Sequence, residues 1–314
     1  MITSRRPFIA GLFALAALTL SGCGAQHQRR VVVLTPYLSS IFTHEFLGAF
    51  QERAAARGWL VNVIDTRGDM ARLANRLQDV VTARADAIIL ISIMPDHIAD
   101  QISQAARAKI PLIVVDGKWI DGVTTSLTSD NYAMGRQISQ FLVDRLGGRG
   151  RIVKFYHSAH PGVFQREKAL ADVLAKNPGI TVVAKHYVKV PGPIEDAKKA
   201  MANILLATGG NIDGVWAAWD EPAIGAVLAL DEAGARRGII VVGVDGNPQA
   251  SEMIAACSRF VATVKQDFAA MASRTATELT ALFTGSAASA RQITIPARLI
   301  TARDLGVTCA SRGT

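Results

Sequence analysis

AIILISIMPDHIADQISQAARAKIPLIVVD, residues 87–116, reads as strand, helix, strand. The runs 87–92 and 112–116 are apolar almost without a break, which marks strands covered on both faces. Between them, 98–109 carries an amphipathic helical pattern. The same alternation extends outward in both directions. Strands are expected at 31–35, 60–65, 87–92, 112–116, 151–156, 181–185, 214–218, 239–244 and 260–264. Helices are expected at 46–57, 71–84, 98–109, 133–146, 164–176, 196–208, 222–233 and 267–283. Strand–helix alternation of this kind builds an α/β fold of parallel sheets with right-handed crossovers. Two series occur, one from 31 to about 130 and one from about 151 to 264. A single sheet of nine or ten strands is less favoured by size than two smaller sheets.

The N-terminus has a different character. Arg5 and Arg6 precede a charge-free run from Phe8 to Leu20, and the run ends Leu20-Ser21-Gly22-Cys23. A basic start, a short apolar stretch and small residues at a cut site make an export signal. The run is too short to span a bilayer, which needs about 20 residues. A cysteine after Leu-Ser-Gly looks like a bacterial lipobox, which implies cleavage before Cys23 and acylation of its thiol. The twin arginine resembles a twin-arginine export signal. Residues 1–22 are therefore read as a lipoprotein signal peptide and 23–30 as a polar tether. The mature chain would be a lipid-anchored protein of the periplasm.

Removing the signal leaves 292 residues and lowers the formal charge from +8 to +6. That excess is spread over helix faces, with no basic run and no nucleic-acid motif. Two cysteines remain, Cys257 and Cys309. An oxidising compartment permits a disulfide between them, and two separate thiols are the alternative.

Open parallel sheets bind ligands beyond the carboxyl ends of their strands. The residues there include Tyr37, Ser39, Ser40 and Phe42 after the first strand, Ser92 after the third, and Asp116, Gly117 and Lys118 after the fourth. The second series adds His157 to Phe164, Trp219-Asp220-Glu221, Asp245-Gly246-Asn247 and Gln266. Carboxylates accept hydrogen bonds from hydroxyls, and aromatic faces cover the C–H surface of a ring. The set suits a neutral polyhydroxylated molecule. Asp220, just ahead of Glu221-Pro222, reads first as a helix N-cap, and Phe42 is divided between core and pocket. No G-x-G-x-x-G follows the first strand and no Walker lysine is present, so no nucleotide cofactor is expected. His157 and His160 lack nearby residues that would complete a metal site, and no metal is expected. No G-x-S-x-G elbow marks a hydrolase, so no catalytic residue and no enzyme activity is expected.

Thr128-Ser129-Asp130-Asn131 with Gly135, Ala218-Trp219-Asp220-Glu221 with Ala223 and Gly225, Val242-Gly243-Val244-Asp245-Gly246, and Ala262-Thr263-Val264 with Gln266 occur in a familiar order and spacing. In these the chain resembles the ribose/galactose-type periplasmic binding proteins of ABC importers, over about 31–307. The resemblance implies the type I periplasmic binding fold, two Rossmann-like lobes with parallel sheets joined by a three-segment hinge. The crossings would fall near Asp130, Gln266 and Ile293. The lobes would be 31–130 with 267–293, and 131–266 with 294–314, the final strand near 294–300 belonging to the second. Carried over by position, the family's ligand residues fall on Phe42, Ser92, Asp116, Asp245 and Gln266. Ribose receptors have arginine where Gly117 and Phe164 stand, and asparagine where Trp219 stands. The pocket is thus expected to lose two forked donors and gain two aromatic faces, with Lys118 restoring one donor. The expected ligand is a neutral sugar or polyol other than ribose, passed by a monomeric receptor to an inner-membrane ABC permease. The alternative is a sensory protein presenting its ligand to a chemoreceptor or receptor kinase.

Overall fold

The computed structural model describes residues 1–2 and 28–309. Residues 3–27, which hold Arg5, Arg6 and the expected lipidation site Cys23, lie outside the described residues.

The first sheet is built from β1 (Arg30–Thr35), β2 (Leu60–Asp65), β3 (Ala87–Ile91), β4 (Leu112–Val115), β5 (Thr125–Thr128) and β11 (Gln292–Thr294), in the order β11-β5-β4-β3-β1-β2. The second is built from β6 (Gly150–Tyr156), β7 (Ile180–Tyr187), β8 (Gly214–Ala217), β9 (Ile240–Asp245), β10 (Phe260–Gln266) and β12 (Ala297–Thr301), in the order β12-β10-β9-β8-β6-β7. The two orders are the same doubly wound arrangement used twice. Every pairing is parallel except β10 with β12. Around the sheets lie α1 (Ile41–Ala55), α2 (Met70–Thr82), α3 (Ala99–Arg107), α4 (Asn131–Arg145), α5 (Pro161–Ala175), α6 (Pro193–Thr208), α7 (Asp220–Glu232), α8 (Pro248–Ala255) and α9 (Phe268–Phe283).

The apolar strands are explained by coverage on both faces. Val31, Val33, Ile89 and Ile113 pack with Phe46, Phe50 and Met271 from α1 and α9. Their neighbours Val32, Leu34, Ile88 and Leu90 pack with Leu73, Leu77 and Ile102 from α2 and α3. Successive strand side chains point to opposite faces, so the first sheet separates two apolar layers. The second lobe forms one continuous core, in which the fully buried Trp216 donates its indole N–H to Ser139 Oγ at 3.0 Å.

The chain passes from the first sheet to the second between Thr128 and Asn131 and returns between Gln266 and Phe268. The last passage follows Thr294, which still pairs in the first sheet, one residue beyond the expected crossing. Strands β5 and β11 and helix α8 had no recognisable pattern. The β5 sequence TSLT is short and hydroxyl-rich yet buried, and α8 begins in what reads as an Asp-Gly-Asn-Pro turn. Helix α1 begins five residues earlier than its apolar pattern suggests, which brings Ile41 and Phe42 onto the helix.

Cys257 and Cys309 are bonded, joining the end of α8 to the C-terminal segment 52 residues away. Closing a loop of that length lowers the entropy of the unfolded chain by an amount worth about 4 kcal/mol in the chain-entropy model. Cys309→Ser is expected to lower unfolding free energy in urea by roughly 2–4 kcal/mol. An unchanged midpoint and slope would show that the bridge adds nothing.

Candidate functional site

A single cavity gathers the carboxyl ends of strands from both sheets. It is lined by Tyr37, Ser39, Ser40, Phe42, Ser92 and Asp116 from the first lobe. The second lobe supplies His157, His160, Val163, Arg166, Val190, Pro193, Trp219, Glu221 and Asp245, and Gln266 stands at the second crossing. The strand order explains why. In each sheet the order reverses beside the first strand, and at that switch point the connections leave a crevice.

Six of the eight residues expected at the site meet there: Phe42, Ser92, Asp116, Trp219, Asp245 and Gln266. Three of them end strands with positive φ, Ser92 at 55°, Asp116 at 54° and Asp245 at 124°. Such backbone costs about 1–3 kcal/mol per residue and persists where surroundings hold it. It turns these side chains into the crevice instead of along the sheet.

Lys118 and Phe164 do not line this cavity. Lys118 pairs with Asp96 at 2.8 Å, its side chain 60% exposed, so its charge is spent outside the cavity. Phe164 is 49% exposed on α5 and lines, with Lys118, a neighbouring groove that shares Asp116 with the cavity. The forked donor expected to be lost at position 164 is supplied two residues later by Arg166. On α5, Val163, Arg166, Leu170 and Val173 recur at helical spacing and are all buried, so Arg166 faces inward. An arginine on an apolar helix face was the signal to look for. The cavity therefore keeps one forked donor and gains one aromatic face, that of Trp219. Position 117 admits no side chain at all. A Cβ there would lie 2.7 Å from Val114 Cγ1 and 2.9 Å from the Ile93 carbonyl oxygen.

Arg166 organises the polar floor. Its Nε donates to Asn131 Oδ1 at 2.9 Å and its Nη1 to the Ala218 carbonyl at 2.8 Å, with Asp245 Oδ1 3.3 Å from Nη1. Helix α4 comes close enough for this because Gly135 sits against the Arg166 backbone, where a Cβ would be 2.5 Å from its Cα. Gln266 Nε2 also donates to Asp245 Oδ1, at 2.9 Å. The Gln266 Oε1 is buried without a hydrogen-bond partner. Asp116 faces Ser92 Oγ and Asn131 Nδ2, each at 3.3 Å. Phe42 meets Phe268 edge to face at 4.6 Å and is 5% exposed. Asp220 does not cap its own helix. It is fully buried and accepts from Asn247 N and Thr263 Oγ1, fixing the turn that carries Asp245.

The histidines take opposite tautomers. His157 Nδ1 donates to the Val188 carbonyl at 2.9 Å, leaving Nε2 to accept from the Tyr37 hydroxyl at 3.3 Å. His160 Nδ1 accepts from the first N–H groups of α5, so its Nε2–H faces Asp116 Oδ2 at 3.4 Å. Burial lowers both rings, His160 to about 4, which makes them neutral at neutral pH. Among the described residues no group of three or more His, Cys, Asp or Glu could hold a metal.

The carboxylates show the cost of burial. Desolvation pushes Asp245 up to about 6, against Arg166 and the Gln266 hydrogen bond. It pushes Glu221 up to about 7, helped by the Asp245 charge. Asp220 is raised for the same reasons, burial first and Asp245 second.

Two lobes on three crossings, with an acid-lined cavity between them, define a hinged solute receptor. Residues 31–287 match the periplasmic binding protein domain family, and the chain belongs to it. It is 31% identical over 252 residues to a xylitol-binding protein of Mycolicibacterium smegmatis, covering 78% of this chain and 71% of that one. It is 27% identical over 249 residues to the ribose import binding protein of Escherichia coli, covering 77% and 80%. It also superposes on a solute-binding protein of an ABC transporter from Agrobacterium vitis with bound allitol. That match has a TM-score of 0.79 and 25% identity, over 89% of this chain and 97% of that one.

Proposed function

We propose that this protein captures one small, uncharged polyol between its lobes and hands it to an ABC importer. The observation that carries this reading is the cavity's surplus of acceptors. Asp116 and Asp245 enter from opposite lobes, and Gln266 Oε1 is buried without a partner. Gln266 Oε1 wants a hydroxyl proton, since a buried unpaired polar group costs about 1–3 kcal/mol, and the two carboxylates have lone pairs left to accept others. Every oxygen of an open-chain polyol carries one. Anionic sugar acids are disfavoured, because Asp116, Asp245 and Glu221 face a single arginine. Trp219 and Phe42 would cover the C–H surface. The relatives that bind xylitol and allitol support a polyol. Arg5, Arg6 and Cys23 support export and a lipid anchor, and the receptor would act as a monomer carrying one ligand. No bond of the ligand is made or broken.

A thermal-shift series tests the reading, with xylitol, allitol, ribose, myo-inositol and the anion xylonate. A ligand at 1,000 times its dissociation constant stabilises the fold by about 4 kcal/mol. At least one neutral polyol is expected to raise the melting temperature by several degrees at 1 mM or so, and xylonate is not. Binding of xylonate without any neutral polyol would reject the assignment.

Affinity should also depend on pH. Hydroxyls donating to Asp245 favour its charged form, so its pKa is lower in the complex than in the free protein. Binding is then level above about pH 7 and falls as pH drops through 6, where free Asp245 takes up its proton. The stability of the free protein responds in the opposite sense. Asp245 has a higher pKa folded, about 6, than its ordinary 3.8, so its burden on the fold is relieved on acidification through that window. Titration calorimetry at pH 5 and 7.5 separates the two, and equal affinities would remove Asp245 from the ligand.

A further inference from the structure

Glu221 lines the cavity, yet its Oε1 serves the opposite lobe, accepting the backbone N–H of Ile41 at 3.2 Å. Ile41 is the first residue of α1. The leading N–H groups of a helix have no partner inside it. Ser40 occupies the capping position with extended backbone, but its side chain makes no capping bond. Serine is among the strongest N-caps, so a local cap is at hand and unused. The acceptor comes instead from 180 positions along the chain. Helix α1 packs on the first sheet, and Glu221 lies in the first turn of α7 on the second. Their bond exists only while the lobes are together.

Glu221 is also 3% exposed, and a carboxylate so placed needs donors. The donors it has are the Ile41 N–H, the side chain of Trp219 and its own backbone N–H, while the nearby charge, Asp245, repels it. Opening the cleft removes the first of these. Trp219 faces the cavity, so a ligand lying on the indole also fixes the group that steers Glu221 toward Ile41.

We propose that Glu221 is a closing latch, a positioning residue that caps α1 across the cleft and thereby couples ligand on Trp219 to closure of the lobes. This rests on the reading that the ligand lies between the lobes. The latch sets how long the closed form lasts. It acts on ligand release more than on ligand capture, because the cap forms only after the lobes meet.

The test compares the full chain with Glu221→Ala and Glu221→Gln, after circular dichroism confirms folding. Hydrogen exchange of the first turn of α1 is read without ligand and with xylitol. With xylitol bound, that turn is expected to exchange at least about threefold faster in Glu221→Ala, with other helix starts unchanged. Stopped-flow tryptophan fluorescence is expected to show xylitol leaving about tenfold faster, with the association rate within about twofold. Glu221→Gln keeps an oxygen for the Ile41 N–H and should restore much of the loss in both readouts. Unchanged exchange at α1 in Glu221→Ala overturns the latch. So does a Glu221→Gln no better than alanine, since that marks a direct charged contact with ligand. If xylitol fails to bind the parent protein, the ligand assignment is at fault, and the same comparison made with the polyol that raises the melting temperature decides the latch.

Discussion

Asp245→Ala is expected to weaken polyol binding by roughly 100-fold or more, equivalent to about 2.7 kcal/mol or more, while the protein still folds. The carboxylate ends β9 inside the cavity and is held there by two donors, Arg166 and Gln266. Removing it takes away an acceptor for the ligand. It also leaves the Gln266 amide without its bond, and an unpaired buried donor costs about 1–3 kcal/mol. The fold should survive for a stated reason. Asp245 is itself an unfavourable buried charge, pushed up to about 6 by desolvation, so its loss relieves one cost as it creates another. Asparagine is the informative partner variant. It tolerates the positive φ of this position better than alanine does, and keeps the shape while removing the charge. If the charge matters, Asp245→Asn should bind weakly at pH 7.5 and lose the fall below pH 6. Calorimetry giving parental affinity for Asp245→Ala would remove this residue from the site.

Arg166→Met is expected to be the most damaging single change, reducing both stability and binding. The guanidinium is 2% exposed and ties α4, the end of β8 and Asp245 together. Breaking a buried charged pair by deleting one partner typically costs about 3–5 kcal/mol, because the other charge is left uncompensated. Here the stranded group is Asp245. Its nearby positive charge disappears, so its pKa should rise further and the pH at which binding fails should move upward. Lysine is not a substitute, since one ammonium cannot reproduce the planar fork that reaches Asn131 and Ala218 together. Urea unfolding and calorimetry across pH 5–8 read both effects. Parental stability in Arg166→Met would show that the network carries no weight.

Much of the framework was legible because it depends on local pattern. The apolar runs at 87–92 and 112–116 became β3 and β4 almost residue for residue, since strands buried on both faces must be apolar throughout. Asp116 and Asp245 could be picked out because each ends such a run. Phe164 lies off the cavity while Arg166 lines it, because a helix turns about 100° per residue and two positions carry a side chain to another face. Tyr37, His157, His160 and Glu221 stand at strand ends in the sequence without a partner to give them a role, and Arg166 stands outside that set. Each acquires its role from a partner distant in the chain, such as His157 for Tyr37 and Ile41 for Glu221.

Chain order alone determined that two α/β units would form with strand-end carboxylates poised to accept hydroxyls, because periodicity and turn chemistry act over a few residues. Which of those groups face one another was decided only by the tertiary structure. Burial beside Arg166 and Gln266 sets the charge of Asp245, and contact between lobes lets Glu221 cap a helix it does not belong to. Such effects arise from desolvation and proximity in space, and neither is encoded in any short stretch of residues.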